Sequence, residues 1–153
     1  MIIQTSRFGS IEVDEAKMIV FERGILGFPQ HHNYVLIQPE YDATFYWLQC
    51  ADAADLAFVV TDPLLFVPDY TIPIREETRN DLGLTTEEDM QVLVIVNKVQ
   101  DTLTANLQGP LVIHATTRRG AQIVISEKKY QTRHPILQLA RTGGKAAYVS
   151  KSA

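Results

Sequence analysis

The chain has a single cysteine, Cys50, so no internal disulfide is possible. It has no apolar run near the roughly 20 residues that a membrane helix needs. The densest stretch, Val92-Leu93-Val94-Ile95-Val96, is strand-sized. The first residues, Met1 to Arg7, lack the basic-then-apolar layout of a signal peptide. A cytoplasmic protein without a membrane segment is therefore expected. No GxSxG, phosphate loop or dinucleotide fingerprint is present. No Cys or His pair has a zinc spacing, and Asp52 and Asp55 lack the glycine and distal glutamate of a calcium loop. His31 and His32 are adjacent, so on a strand they face opposite sides. These absences argue against a bound metal, a cofactor, a small-molecule substrate and catalysis.

What remains needs weighing. Asp62 and Asp69 are carboxylates that an acid–base pair requires, yet one precedes a proline and the other follows one. Turn capping explains both. His134 beside Arg133 is open to reading as a phosphate contact or a base, and equally as a loop that docks on the body. A hydrolase built on Asp62, Asp69 or His134 would need two of them together in a deep pocket. Cys50 follows Tyr46-Trp47-Leu48-Gln49 and reads as a buried structural thiol.

The 153 residues fit one domain, with 46% hydrophobic and 21% charged residues, as in ordinary globular chains. The net charge of −4 is unevenly placed. Residues 1–113 carry 17 acidic and 6 basic side chains. Residues 114–153 carry 1 acidic and 8 basic side chains. An acidic body attracts basic proteins and repels nucleic acid, and a basic tail does the reverse.

Short β-forming runs recur between turn signals. Ile2–Thr5 and Ser10–Val13 flank a turn at Arg7-Phe8-Gly9. Met18–Phe21, Tyr34–Ile37, Phe45–Gln49, Ala57–Val60, Leu93–Val96, Thr104–Leu107, Leu111–His114 and Gln122–Ile125 follow, with turns around Asp42 and at Thr117–Gly120. Ala57–Val60 and Leu93–Val96 are apolar throughout, as in strands covered on both faces. Gly24, Gly27 and Pro29 mark a tight loop. Glu76–Leu82 suits a short helix stopped by Gly83, and Thr85–Glu88 suits a capping box. Ile136–Arg141 suits a helical turn, and Thr142–Ala153 a frayed basic tail. Many closely spaced strands imply a sandwich or a barrel, and a barrel removes exposed edges.

Six of these stretches, in this order, resemble the flagellar assembly factor FliW family. They are Phe21–Phe28, Phe45–Gln49, Leu56–Pro63, Phe66–Tyr70, Thr104–Leu107 with Gly109–Ile113, and Tyr130–Pro135. The tail from Gln138 matches no part of that pattern. The resemblance implies an all-β, single-domain, antiparallel β-barrel-like fold over residues 1–137; the residues themselves add one or two short helices at about 74–90 and, outside the resemblance, a basic C-terminal tail over 138–153 that is expected to be frayed or disordered. It implies a cytoplasmic, non-enzymatic regulator of bacterial flagellum biogenesis that binds the translational repressor CsrA. Binding relieves repression of flagellin mRNA, and flagellin competes for the same regulator, a chaperone-like partner switch. No direct nucleic-acid contact is expected on that reading. The alternative is an RNA-binding module acting through the basic C-terminal segment. Loops usually carry recognition, so the expected partner-binding residues are Gly24, Phe28, Phe66, Pro68, Asp69 and Tyr70.

Overall fold

In the computed structural model, residues 1–38, 44–142 and 145–150 are described. The expected turn around Asp42, together with Gly143, Gly144 and residues 151–153 of the tail, lies outside them. The chain begins with a hairpin, β1 (Ile2–Thr5) and β2 (Gly9–Glu12). Then come β3 (Ile19–Phe21), β4 (Asn33–Ile37), β5 (Phe45–Cys50) and β6 (Ala57–Thr61). Helix α1 (Glu76–Leu82) precedes the long β7 (Met90–Val99), and β8 (Thr102–Ala105), β9 (Leu111–His114) and β10 (Arg119–Gln122) follow it. The last two strands are β11 (His134–Thr142) and β12 (Lys145–Ser150).

Seven strands close into a barrel in the order β3-β4-β5-β6-β7-β9-β10 and back to β3. Every pairing is antiparallel except the closing one, where β10 runs parallel to β3 through Arg119↔Val20 and Gly120↔Phe21. Strand β7 is long because it serves two partners. Its first half pairs with β9, Met90↔His114 to Leu93↔Leu111. Its second half pairs with β8, Val96↔Ala105 to Val99↔Thr102, which leads off to β11 and β12.

Strand side chains alternate faces, and this sorts the core. Ile19, Phe21, Tyr34, Leu48, Cys50, Val60, Leu93, Leu111 and Ile113 fill the barrel interior. Val94 and Val96 point outward, yet they are buried as well. They lie under a second cluster with Phe45, Tyr70, Leu107, Ile125, Tyr130 and Ile136. Helix α1 makes a third cluster, with Leu82 and Leu84 over Val112 of β9. Burial on both faces is why β6 and β7 read as continuous apolar runs rather than alternating ones.

Helix α1 ends as expected. Gly83 adopts φ 68° and ψ 31°, and Leu84 N–H reaches back to Arg79 O. The capping box sits one residue later than the spacing suggested. Thr86 caps a 3-10 turn over Glu87–Asp89, with Asp89 as the reciprocal partner. Two further expectations are corrected. The β10 strand covers Arg119–Gln122 rather than Gln122–Ile125, because pairing with β3 starts directly after the turn at Arg118, where φ is 63°. Ile136–Arg141 is not a helical turn. It lies within β11, where the neighbouring β8 supplies a ladder and Pro135 is accommodated by a register shift. The backbone expected to fray after Gln138 continues that strand and returns as β12, from Thr142↔Lys145 to Leu137↔Ser150.

Candidate functional site

The six residues expected to meet a partner fall into two regions. Gly24 and Phe28 lie in the loop after β3. That loop folds back on itself through the Ile25↔Phe28 bridge, with φ of 69° at Gly24 and 90° at Gly27. Phe28 is exposed at its rim and leans edge-on against Phe58 of β6, 5.5 Å between ring centres. Gly24 is itself buried, and a Cβ there would lie 2.5 Å from Phe28 O. Its role is to let the loop close.

Phe66, Pro68, Asp69 and Tyr70 follow β6. Asp62 accepts a hydrogen bond from Leu64 N–H at 2.9 Å and so caps a 3-10 turn over Pro63–Leu65. Phe66 stacks on Phe45, while Pro68 and Asp69 are exposed. Tyr70 is buried, and its hydroxyl donates to Leu107 O at 2.6 Å. Burial pushes the Tyr70 hydroxyl above its usual pKa. Its ring meets Tyr130 at 4.7 Å, and the Tyr130 hydroxyl accepts from Thr71 N–H at 3.0 Å. Two tyrosines therefore pin this segment to the body.

The fold does not bring the two regions together. Phe28 packs at the Leu48↔Phe58 rung of the β5–β6 ladder and Phe66 at the Phe45↔Thr61 end. Three residues of strand separate these rungs, about 10 Å. The two also belong to different clusters, Phe58 to the barrel interior and Phe45 to the outer one.

Sequence reasoning missed the neighbours that complete each region. Leu64 and Leu65 are exposed in the Asp62-capped turn, next to Phe66 and Pro68. The signal was there, since Asp-Pro before two leucines opens a capped turn rather than extending a strand. Beside Gly24, Leu26 is exposed and its N–H donates to Gln122 Oε1 at 2.7 Å. Gln122 Nε2 donates in turn to Gly109 O at 2.9 Å. No sequence pattern foretells that bridge, which spans 96 positions.

A groove of about 430 Å³ runs between this loop, β10 and α1. Its walls carry Glu22, Arg23, Thr78, Asp81 and Arg119 among apolar groups such as Ile25, Leu82 and Ile123. Arg119 pairs with Glu22 at 2.9 Å. None of Asp62, Asp69 or His134 lines this groove. His114 is buried at the end of β9, where its Nδ1 accepts from Thr116 and Thr117 N–H and shapes the turn before β10. Among the described residues, no group of three His, Cys, Asp or Glu side chains is placed to hold a metal ion. Cys50 is buried in the barrel, and burial raises its thiol pKa, so it is held as the neutral thiol. Both regions present exposed apolar side chains, Leu26 and Phe28 on the loop after β3 and Leu64 and Leu65 on the Asp62-capped turn.

Comparison with known proteins agrees with the fold. The model of the FliW protein family matches residues 2–136. A flagellar assembly factor FliW from Caldanaerobacter subterraneus subsp. tengcongensis is 43% identical over 142 residues, covering 90% of this chain and 94% of that protein. One from Alkaliphilus metalliredigens is 38% identical, covering 90% of this chain and 87% of that protein. A crystal structure of the flagellar assembly factor FliW superposes with a TM-score of 0.81 at 36% identity, covering 88% of this chain and 96% of that one.

Proposed function

The chain belongs to the FliW family of flagellar assembly factors, and from that premise we propose that it is a cytoplasmic, non-enzymatic regulator that switches between two protein partners, CsrA and flagellin. Bound to CsrA, it relieves repression of flagellin mRNA. Bound to flagellin, it releases CsrA. The observation that carries this reading is the family match, which spans the barrel from β1 into β11.

The charge distribution supports it. CsrA must present basic side chains to RNA phosphates. The acidic excess of residues 1–113 suits a protein that weakens RNA binding from beside the RNA surface. The contact residues proposed are Phe66, Pro68 and Asp69 with the adjoining Leu64 and Leu65, and the Gly24–Phe28 loop as a second surface. Gly24 and Tyr70 act by holding these loops in place.

Competition co-purification tests the switch. The purified chain is expected to retain CsrA and flagellin separately and never both at once, with excess flagellin displacing CsrA. Retention of neither, or of both together, overturns the proposal. Replacing the acidic loop residues by amides tests the electrostatic part. The variant should bind CsrA yet displace RNA less well, and unchanged displacement excludes that account.

A further inference from the structure

Strand β10 is left half-covered. Its first two residues pair with β3, ending at Gly120↔Phe21, after which β3 turns away into the Gly24 loop. On the other side the ladder to β9 runs on past the end of the strand. Ile123 N–H donates to Pro110 O and Ile125 N–H to Gln108 O, in the register of Gln122↔Leu111. In an antiparallel ladder alternate residues point their backbone groups to opposite sides. The N–H groups of Ile123 and Ile125 point to that side, although Pro110 has no N–H to return and the Gln108 N–H donates to Asn106 Oδ1, so the N–H and C=O of Val124 face the other way, where β3 is missing. Val124 makes no hydrogen bond there to any described residue. Its side chain is 69% exposed, and Leu26 on the facing loop is 66% exposed. The groove lies alongside this edge.

We propose that this edge, residues 122–126, is a strand-addition site that takes one extended segment of a partner protein, laid where β3 leaves off and carrying apolar side chains against Val124 and Leu26. The backbone decides the kind of occupant. An unpaired N–H and C=O in line with a running ladder are satisfied by an extended chain and not by a helix. The loop is built to hold the place open, since Gln122 ties Leu26 N–H to Gly109 O and fixes the opposite wall. Unpaired strand edges are otherwise blunted by charge or proline, and here the edge residue is valine. Arg23 and Asp81 in the groove walls have no ion-pair partner among the described residues. They are available to polar side chains of the incoming segment.

The test needs no assumption about CsrA or flagellin. A library of displayed random peptides is selected on the purified chain, and enriched peptides are synthesised and titrated. The expected peptides alternate apolar and polar residues. They bind Val124→Pro at least about tenfold more weakly than the native chain, since proline removes the outward N–H. Ile123 and Ile125 keep their internal bonds, so Val124→Pro should melt as the native chain does. Should it not fold, Val124→Lys, which leaves the backbone intact and charges the edge, must weaken the same peptides. Amide exchange at Val124 must also slow in the complex. Overturning results are the absence of any enriched peptide, peptides indifferent to both variants, or an unprotected Val124 amide. Concentration-dependent dimerisation that Val124→Lys abolishes would assign the edge to a second copy of the chain and likewise overturn the proposal.

Discussion

At the scale of single residues, the positions that matter most have little chemistry of their own. Gly24 and Gly27 both adopt positive φ, but they differ in surroundings. Nothing lies within 4 Å of a Cβ at Gly27, whereas one at Gly24 meets Phe28 O at 2.5 Å and Pro29 Cα at 2.7 Å. Gly27→Ala should therefore cost only the left-handed backbone term, about 1–2 kcal/mol. Gly24→Ala adds a clash with backbone and should exceed about 3 kcal/mol. Urea denaturation of the two variants measures both. Equal losses would mean that the clash relaxes. Tyr70 is a similar case. From sequence it is expected to meet a partner, because it lies in a turn-rich loop segment. Its hydroxyl instead finds a carbonyl 37 positions away. Tyr70→Phe is expected to lose about 1–2 kcal/mol in the same assay, the cost of leaving a buried carbonyl without its donor.

At the scale of elements, strands were legible and their partners were not. Runs such as Leu93–Val96 declare a strand by composition, and Gly83 declares the end of α1 by its freedom at φ 68°. The β10 strand was misplaced by three residues because Arg119-Gly120 has poor strand propensity and is drawn into the sheet by β3 and β9 together. Ile136–Arg141 was misread for a related reason. Its apolar spacing fits one helical turn, but β8 offers a ladder, and tertiary pairing overrides local preference. The loop at Gly24 depends on Gln122, which holds Leu26 N–H and Gly109 O at once. Gln122→Ala should lower stability by about 1–2 kcal/mol. It should also speed amide exchange at Leu26 far more than at the barrel strands. Uniform acceleration would show that the side chain does not act locally.

At the scale of the whole molecule, the barrel closes through a two-rung parallel seam, and its fit depends on Gly120. A Cβ there would lie 2.7 Å from Phe21 Cε1, in the middle of the interior cluster. Gly120→Ala should cost about 1–3 kcal/mol by overpacking, visible as a lower melting temperature. Pairing it with Phe21→Leu should recover part of the loss. Absence of any recovery would place the strain elsewhere. Burial in the barrel interior and in the outer cluster sets an alkaline limit. Burial raises the hydroxyl pKa of Tyr34 and of Tyr70 above that of an unfolded tyrosine, about 10. The folded state then holds protons that the unfolded state has released. The stabilisation is complete below about pH 10 and declines as pH rises further. Tyr130, lowered by accepting Thr71 N–H, opposes this. Cys50, also raised by burial, adds a loss of the same sign from about pH 9, so three buried raised groups against one lowered group give a net fall in the urea midpoint at alkaline pH. A midpoint that holds flat or rises there would contradict it.

By itself the sequence determined an all-β chain with a short helix near 76–82, a buried thiol, an acidic body before a basic end, and membership of a family through six ordered segments. Those properties follow from composition, local propensity and residue order. Only the tertiary structure decided that Gly24 and Tyr70 support loops rather than reach the surface, and that Phe28 and Phe66 sit at separate places. It also decided that β3 ends early and leaves the Val124 backbone without a hydrogen-bond partner among the described residues. The physical reason is that each of these depends on contacts between residues tens of positions apart. Ladder register, a bridging amide and a closing seam place such residues together, and no local pattern encodes them.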